Sequence, residues 1–548
     1  MPTITFSKKD FEKLVGKKFT KKELEYFLSF AKGELDDLKG DEVTAGLDDT
    51  NQPSLWSVEG LARLARGIFG IEKGIPDIKI NKSNYSIIIH KDTEKVRPFI
   101  SCFVAKGKKL SDDFLKQMIQ LQEKLADSFG RKRKKLSIGL YPVKKINFPI
   151  HYRLEDADKK FIPLEYSREL SLKQILKEHP KGKEYASILD GLKKYPVLID
   201  DKDNILSMAP IINSKTTGKL DVGEDEIFFD CTGTDESAVM LSANIFAQAL
   251  FDRGFKIFSC EMIYPDKKII SPDVISFSLN LDPVFAENLI GEKLSLQKIK
   301  DCLKRMRCDF KDNKAIFPCY RGDVMHMVDA VEDVVIGYGY DKLTPLPFTS
   351  YTKGSILPKE KITRNVRNLI IGLEFQEIFS TLLSNKELLY SKMNAKDLGT
   401  IEIDSYLSET YSVVRTWLLP GLLDLLSHNK HQDYPQKVFE QGIVTLRKKE
   451  DVSDHENVAG LSAHPKSDFT EARQIVEYVL DSLGVKYSIK EFDHFSFISG
   501  RCAEILYKNK RIGFLGELHP AVLSNFNLLN FCSFPIIIFC GCQLHIIN

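Results

Sequence analysis

The apolar residues of this chain fall into two rhythms that alternate along its length, and this alternation limits the fold more than any other feature. Around Leu55, Val58, Leu61, Ala62, Ala65, Ile68 and Phe69 they recur at the three-and-four spacing of one helical face. In Tyr85–His90 and Phe99–Val104 they form short unbroken runs, the pattern of buried strands. Phe114–Phe129 returns to helical spacing and stops at Gly130. Strands then follow at 136–140, 197–199 and 227–230, with a helix over 238–253. Such a chain must stack helices against sheets, so a mixed α+β architecture is expected.

At 548 residues the chain is too long for one core, and punctuation divides it into four expected modules. The first is an N-terminal α/β module over 1–80, where Thr20-Lys-Lys-Glu23 has the form of a helix capping box. An α/β module over 81–268 follows. A small module over 269–346 opens at Ser271-Pro-Asp and closes at Gly337-Tyr-Gly-Tyr-Asp341. Pro345, Pro347 and Gly354 mark a linker. The last module, 355–548, begins with an amphipathic helix carrying Ile362, Val366, Leu369, Ile370 and Leu373.

Charge excludes one easy answer. Lys plus Arg number 78 against 76 Asp plus Glu, a formal net charge of +2, so any RNA contact must come from local patches. Arg131-Lys-Arg-Lys-Lys135 is the densest; it reads either as a phosphate contact or as a solvated face. The ten cysteines form no C-x-x-C pair and read as reduced thiols. No run reaches about 18 consecutive apolar residues, and the first residues are charged, so a cytoplasmic protein without a membrane span is expected.

Two constellations carry candidate chemistry. In Arg321-Gly-Asp323 … Asp329-x-x-Glu332-Asp333, helical spacing puts Asp329, Glu332 and Asp333 on one face, with Asp323 approaching from the turn before. Crowded hard-oxygen donors suit Mg²⁺; an ordinary solvated helix face has the same pattern. The second constellation is Ser207, Asn213 and Asn213-Ser-Lys-Thr-Thr-Gly218, with Asp230-Cys-Thr232-Gly-Thr-Asp235. Small polar groups at strand ends line pockets, and they also make plain turns. No G-x-S-x-G is present, so a covalent nucleophile is not indicated.

These segments resemble a known family. Pro318-Cys-Tyr-Arg321-Gly-Asp323 with Asp329, Glu332, Asp333 and Gly337-Tyr-Gly-Tyr-Asp341 is similar to the small domain of phenylalanyl-tRNA synthetase β chains. Asn213–Gly218 and Asp230–Asp235 resemble its editing domain. Ser412-Val-Val-Arg-Thr-Trp-Leu-Leu-Pro-Gly421 and Gly513-Phe-Leu-Gly-Glu-Leu-His-Pro520 resemble its C-terminal domain, and Asn51-Gln-Pro-Ser-Leu-Trp-Ser-Val-Glu-Gly60 its N-terminal module. The matches occur in order over nearly the whole chain. At 548 residues there is no room for the extra domains of the bacterial β chain, which points to the archaeal or eukaryotic type.

The resemblance implies an α+β multidomain chain: an N-terminal α/β module, an α/β editing domain, a small winged-helix-like domain, and a C-terminal antiparallel-sheet domain of class II synthetase type without catalytic residues. It implies an α subunit that charges tRNA(Phe) with phenylalanine at the expense of ATP, in an α₂β₂ heterotetramer. Asp323, Asp329, Glu332 and Asp333 match positions assigned to Mg²⁺ shared with that subunit. Ser207, Asn213, Asp230 and Thr232 match polar positions of the editing pocket, with Leu198 as an apolar wall. A site that welcomes phenylalanine rejects its hydroxylated analogue by only about a hundredfold, so a second, hydrolytic site for Tyr-tRNA(Phe) is expected. A freestanding deacylase, which would need only the editing module, and a non-catalytic RNA-binding scaffold built from synthetase relics are the competing readings.

Two departures stand out. Where the family shows an aliphatic residue and then His-Asp after Ile138-Gly, this chain has Leu140-Tyr141-Pro142, expected to alter a loop without touching the polar pocket. The segment from Ile536 to Asn548 is unusually apolar and Cys-rich; it reads as a buried final strand or as an altered reading frame.

Overall fold

The computed structural model describes residues 2–48, 50–449 and 451–528, together with the backbone of 536–540. The chain divides into two compact units, 1–346 and 347–548.

The first unit starts with a three-stranded antiparallel sheet (Thr3–Ser7, Glu34–Lys39, Glu42–Gly46) and short helices. Thr20 caps Lys21–Phe30 through the expected reciprocal box with Glu23. Helix α1 (Val58–Ile68) is capped by Ser57, whose hydroxyl accepts from the Gly60 amide at 3.1 Å. Gly60 has to be bare, because a Cβ there would lie 1.8 Å from the Ser54 carbonyl oxygen. Arg63, which helical spacing puts off the apolar face, is nevertheless buried. Asp252 receives its Nε–H at 2.7 Å, and its guanidinium lies 4.3 Å from the Tyr320 ring centre.

A ten-stranded sheet dominates this unit. Its strands are β1 (Ile80–Ile89), β2 (Phe99–Lys106), β3 (Leu136–Pro142), β4 (Ile150–Asp156), β5 (Lys194–Ile199), β6 (Ile205–Met208), β7 (Ile212–Asn213), β8 (Glu226–Gly233), β9 (Lys256–Ile263) and β10 (Lys268–Ser271). The order is β7-β6-β5-β4-β1-β9-β2-β8-β3, with β10 beside β9; only β1–β9 and β1–β4 are parallel. Helix α2 (Asp112–Lys124) continues through a wider turn to Phe129, as the sequence pattern predicts. Helix α3 (Glu236–Asp252) is apolar on nearly every side, which marks a helix buried all round. It joins one face of the sheet to the N-terminal segment and to the 281–336 region in a single continuous core. Arg253, just beyond it, is clasped by Asp10 and Glu59 at 2.7 Å. A three-stranded sheet (Phe277–Asn280, Asp309–Lys311, Lys314–Phe317) and helix α4 (Met327–Tyr338) complete the unit.

The second unit is built on a seven-stranded sheet: β11 (Gln376–Glu377), β12 (Gln436–Lys448), β13 (Asp451–Ala463), β14 (Ser488–Glu491), β15 (Phe497–Tyr507), β16 (Lys510–Leu518) and β17 (Ile536–Cys540). The order is β11-β12-β13-β17-β16-β15-β14, antiparallel apart from the short β11–β12 pair. The amphipathic helix α5 (Pro358–Gly372) packs Val366 and Ile370 into a core with Phe439, Ile505 and Leu515. Helix α6 (Leu419–His428) contributes Leu419, Leu422, Leu423 and Leu426 to a second core. The strand reading of the C-terminal segment holds for the backbone of 536–540, which pairs with both β13 and β16; 541–548 lie outside the described residues. Among the described residues no helix is long and apolar enough to cross a membrane.

Candidate functional site

Strand β8 alternates its side chains between two environments, as the period of two requires. Ile227, Phe229 and Cys231 enter the core shared with α3, whereas Phe228, Asp230 and Thr232 point to the opposite face. The register places Asp230 across from Cys102 of β2 on one side and Gly139 of β3 on the other. On β3 the same alternation turns Ser137, Gly139 and Tyr141 toward that face, beside Thr232, Asp230 and Phe228.

Here the two ends of the sheet meet. Tyr141, on the β3 edge, donates its hydroxyl to Ser207 Oγ of β6 at 2.9 Å. Asn213 of β7 turns its amide toward the Leu140 carbonyl, and Arg133 donates to the carbonyls of Pro210 and Ile211 at 3.1 and 2.9 Å. Arg131, Lys132 and Arg133 all have left-handed backbone, which curls the basic run back so that the Arg133 guanidinium lies over the Tyr185 ring. Between the two edges is a cavity of about 550 Å³. Ser207, Asn213, Asp230 and Tyr141 lie in its wall, and Arg133, Lys181, Lys215 and Lys219 also line it.

Asp230 is the unusual group in that wall. It is buried, and desolvation pushes its carboxyl up to about 7, although the Tyr141 hydroxyl and the Arg97 charge oppose the rise. Its Oδ1 has no settled donor, because the nearby Tyr141 hydroxyl is directed at Ser207. A buried acceptor without a donor is costly and wants one. Burial raises the Tyr141 phenol well above its ordinary range, so this hydroxyl keeps its proton.

Three of the five residues singled out for this pocket, Ser207, Asn213 and Asp230, therefore share one cavity. Leu198 and Thr232 are not in its lining. Leu198 stands directly across the β5–β6 ladder from Ser207 and is fully buried in the core beneath. Thr232 has the right face but is taken by Arg97. The buried guanidinium donates to Thr232 Oγ1 at 3.0 Å, to its carbonyl at 2.7 Å and to Ser137 at 3.1 Å. The Leu140-Tyr141-Pro142 departure is not a loop change. These residues end strand β3, and Tyr141 reaches the pocket itself. Alternation along β3 could have flagged Tyr141; Arg97 carries no local signal.

The acidic constellation folds differently from its helical projection. Arg321, itself buried, holds both oxygens of Asp323 at 2.8 and 2.6 Å and Asp333 at 2.9 Å. Asp333 thus faces inward, and burial raises its carboxyl despite the guanidinium. Asp329 closes a capping box at the start of α4, accepting the amides of Met325 and His326 at 2.7 Å. Glu332 pairs with Lys32 at 2.8 Å. All four carboxylates border one small cleft, with Lys32, Asn51 and Gln52. In kind the donors suit a hard divalent ion, and four negative charges against Arg321 and Lys32 leave a deficit of two. As placed, among the described residues no three His, Cys, Asp or Glu side chains gather to hold a metal. These residues do not fit a metal by themselves, because each carboxylate already has a partner.

In the second unit Arg415 is buried and consumed. It donates to Glu440 at 2.6 Å, to Ser380 Oγ at 2.9 Å and to the Ile443 carbonyl at 2.8 Å.

Residues 344–537 match the family described as phenylalanyl tRNA synthetase beta chain CLM domain, and 279–340 the tRNA synthetase B5 domain. The phenylalanine–tRNA ligase beta subunit of Pyrococcus abyssi is 38% identical over 540 residues, spanning 96% of this chain and 97% of that protein. Its counterpart in Thermococcus sibiricus is 39% identical, covering 96% of both chains, and that of Archaeoglobus fulgidus 38% identical, covering 87% and 88%. The crystal structure of an N-terminal fragment of the phenylalanyl-tRNA synthetase beta subunit from Pyrococcus horikoshii superposes with a TM-score of 0.60 at 38% identity, covering 62% of this chain and all of the fragment.

Proposed function

Because this chain belongs to the phenylalanine–tRNA ligase beta-subunit family, we propose that it assembles with an α subunit as an α₂β₂ heterotetramer and clears Tyr-tRNA(Phe) by hydrolysis in the cavity at the sheet edges. Charging of tRNA(Phe) with phenylalanine and ATP takes place on the α subunit. The heterotetramer works in the cytoplasm.

The observation that carries the proofreading reading is the cavity wall: Ser207, Asn213 and an Asp230 oxygen with no settled donor. A tyrosyl hydroxyl supplies that donor; phenylalanine cannot. Rejecting the analogue that lacks a hydroxyl is what buried polar groups do well. Asn213 and Ser207 orient the ester. Water attacks the ester carbonyl, the bond to the terminal ribose breaks, and tyrosine leaves with the ribose hydroxyl restored. Arg133, Lys181, Lys215 and Lys219 set positive charge along the same cavity for the phosphates of the RNA end.

The three parts of the first unit are read as an N-terminal module (1–80), an editing domain (81–268) and a small winged-helix-like domain (269–346). The second unit, read over 355–548, is a class II synthetase-like fold without catalytic duty. Arg415 supports that reading, since its guanidinium is spent on Glu440, Ser380 and the Ile443 carbonyl. Mg²⁺ at Asp323, Asp329, Glu332 and Asp333 is proposed only as a site the α subunit completes. When bound, it would neutralise the residual negative charge of the cleft.

The decisive measurement is tyrosine release from Tyr-tRNA(Phe) by the heterotetramer. Asn213→Ala and Asp230→Ala should each lower it at least tenfold; undiminished release would remove the cavity from the reaction. Co-expression with the α subunit should yield a stable complex, and a β chain that stays alone would defeat the assembly reading.

A further inference from the structure

Tyr141 has one proton and two oxygens to offer it to. Its hydroxyl stands 2.9 Å from Ser207 Oγ. The Asp230 carboxylate lies beside it across the bare Gly139, where an added Cβ would come within 2.2 Å of both Asp230 Oδ1 and the Tyr141 oxygen. The two oxygens thus border one gap in the cavity wall, which glycine alone leaves open. We infer that Tyr141 is a specificity-determining residue of this cavity: by sharing its phenolic proton between Ser207 and Asp230 it favours the ionised form of the Asp230 carboxylate, the form that best accepts a hydroxyl from the bound aminoacyl group. The inference rests on the proofreading reading and names the residue that tunes it.

An ionised acceptor binds a hydroxyl about twice as strongly as a neutral one. Anything that keeps Asp230 charged therefore favours tyrosine over phenylalanine. The groups that face this carboxyl are few. Arg97 and Tyr141 favour its ionised form, whereas Cys102 of β2, Tyr152 of β4 and the adjacent Cys231 are buried, which pushes their own titration up and leaves them neutral. Of these, Tyr141 is the one that lines the cavity, and Ser207 competes for its proton.

The test is the ratio of tyrosine to phenylalanine release from the two charged tRNAs, measured against pH with the heterotetramer; the ratio cancels the ester's own pH dependence. Wild type should gain selectivity as pH rises through about 7. Tyr141→Phe keeps the ring and removes the proton, so the midpoint should move up by about one unit or more. Ser207→Ala removes the competing acceptor, so the midpoint should move down. Opposite shifts support the shared proton. Shifts of one sign, or loss of rate at an unmoved midpoint, would make Tyr141 mere packing and overturn the inference. Asp230→Asn should make the ratio independent of pH. If it leaves tyrosine release undiminished, the proofreading reading fails first and takes the role of Tyr141 with it. Thermal melts of each variant separate a lost site from a lost fold.

Discussion

Asp230 and Asp333 are buried to the same degree, 3% and 4% exposed, and burial pushes both carboxyls up. Their surroundings differ in one respect. Asp333 meets a buried guanidinium at 2.9 Å, and the same Arg321 holds Asp323 with two more bonds. Asp230 borders a cavity of about 550 Å³ and leaves one oxygen without a settled donor. A carboxylate clamped by a buried guanidinium is architecture. One without such a clamp, next to open space, can take a donor from a ligand. Burial alone does not separate the two; the guanidinium beside one and the cavity beside the other do.

The largest effect that could break this comparison lies at Arg321. Arg321→Met strands two carboxylates in the interior, and removing one member of such a buried network typically costs about 3–5 kcal/mol. Urea unfolding followed by tryptophan fluorescence should show it; a loss under about 1 kcal/mol would mean the clamp is not structural. Asp230→Asn should act with the opposite sign. The folded chain keeps the Asp230 proton to about 7, whereas the unfolded chain releases it near 3.9. Stability linked to that proton is therefore full below about 4 and is lost as pH rises through 7. At pH 8 Asn removes a penalty of at most about 4 kcal/mol. The variant should melt above wild type at pH 8, with the gap closing at pH 4. A gap that ignores pH would show that Asp230 is not strained. The smallest effect belongs to Lys32→Met. The Lys32–Glu332 pair is part exposed, 31% and 43%, and such pairs contribute about 0–1 kcal/mol. Should Lys32→Met cost as much as Arg321→Met, the distinction between clamp and rim would not stand.

The sequence made some of this legible and hid the rest for identifiable reasons. Ser207, Asn213 and Asp230 stand out as small polar residues at strand ends, a pattern that turns share; the family resemblance is what marked them as pocket positions. Thr232 has the same period-two placement, yet Arg97, 135 positions earlier, occupies it. Tyr141 looks like a loop substitution until the register sets β3 beside β8. Helical spacing put Asp329, Glu332 and Asp333 on one face, but Arg321 drew Asp333 inward while the helix start claimed Asp329. Alternation and spacing are local and readable. Which distant charge takes which polar group is decided by tertiary contact, and no window of sequence carries it.

The meeting of the two sheet edges has a mechanical consequence. Among the described residues no backbone ladder joins β3 to β6 or β7; side chains such as Tyr141, Arg133 and Asn213 span the gap instead. Parting them gives up a few bonds of about 1 kcal/mol each, while every strand keeps its own neighbours. The wall is thus held along that line by a few side-chain bonds, and parting it would pull no strand from its place.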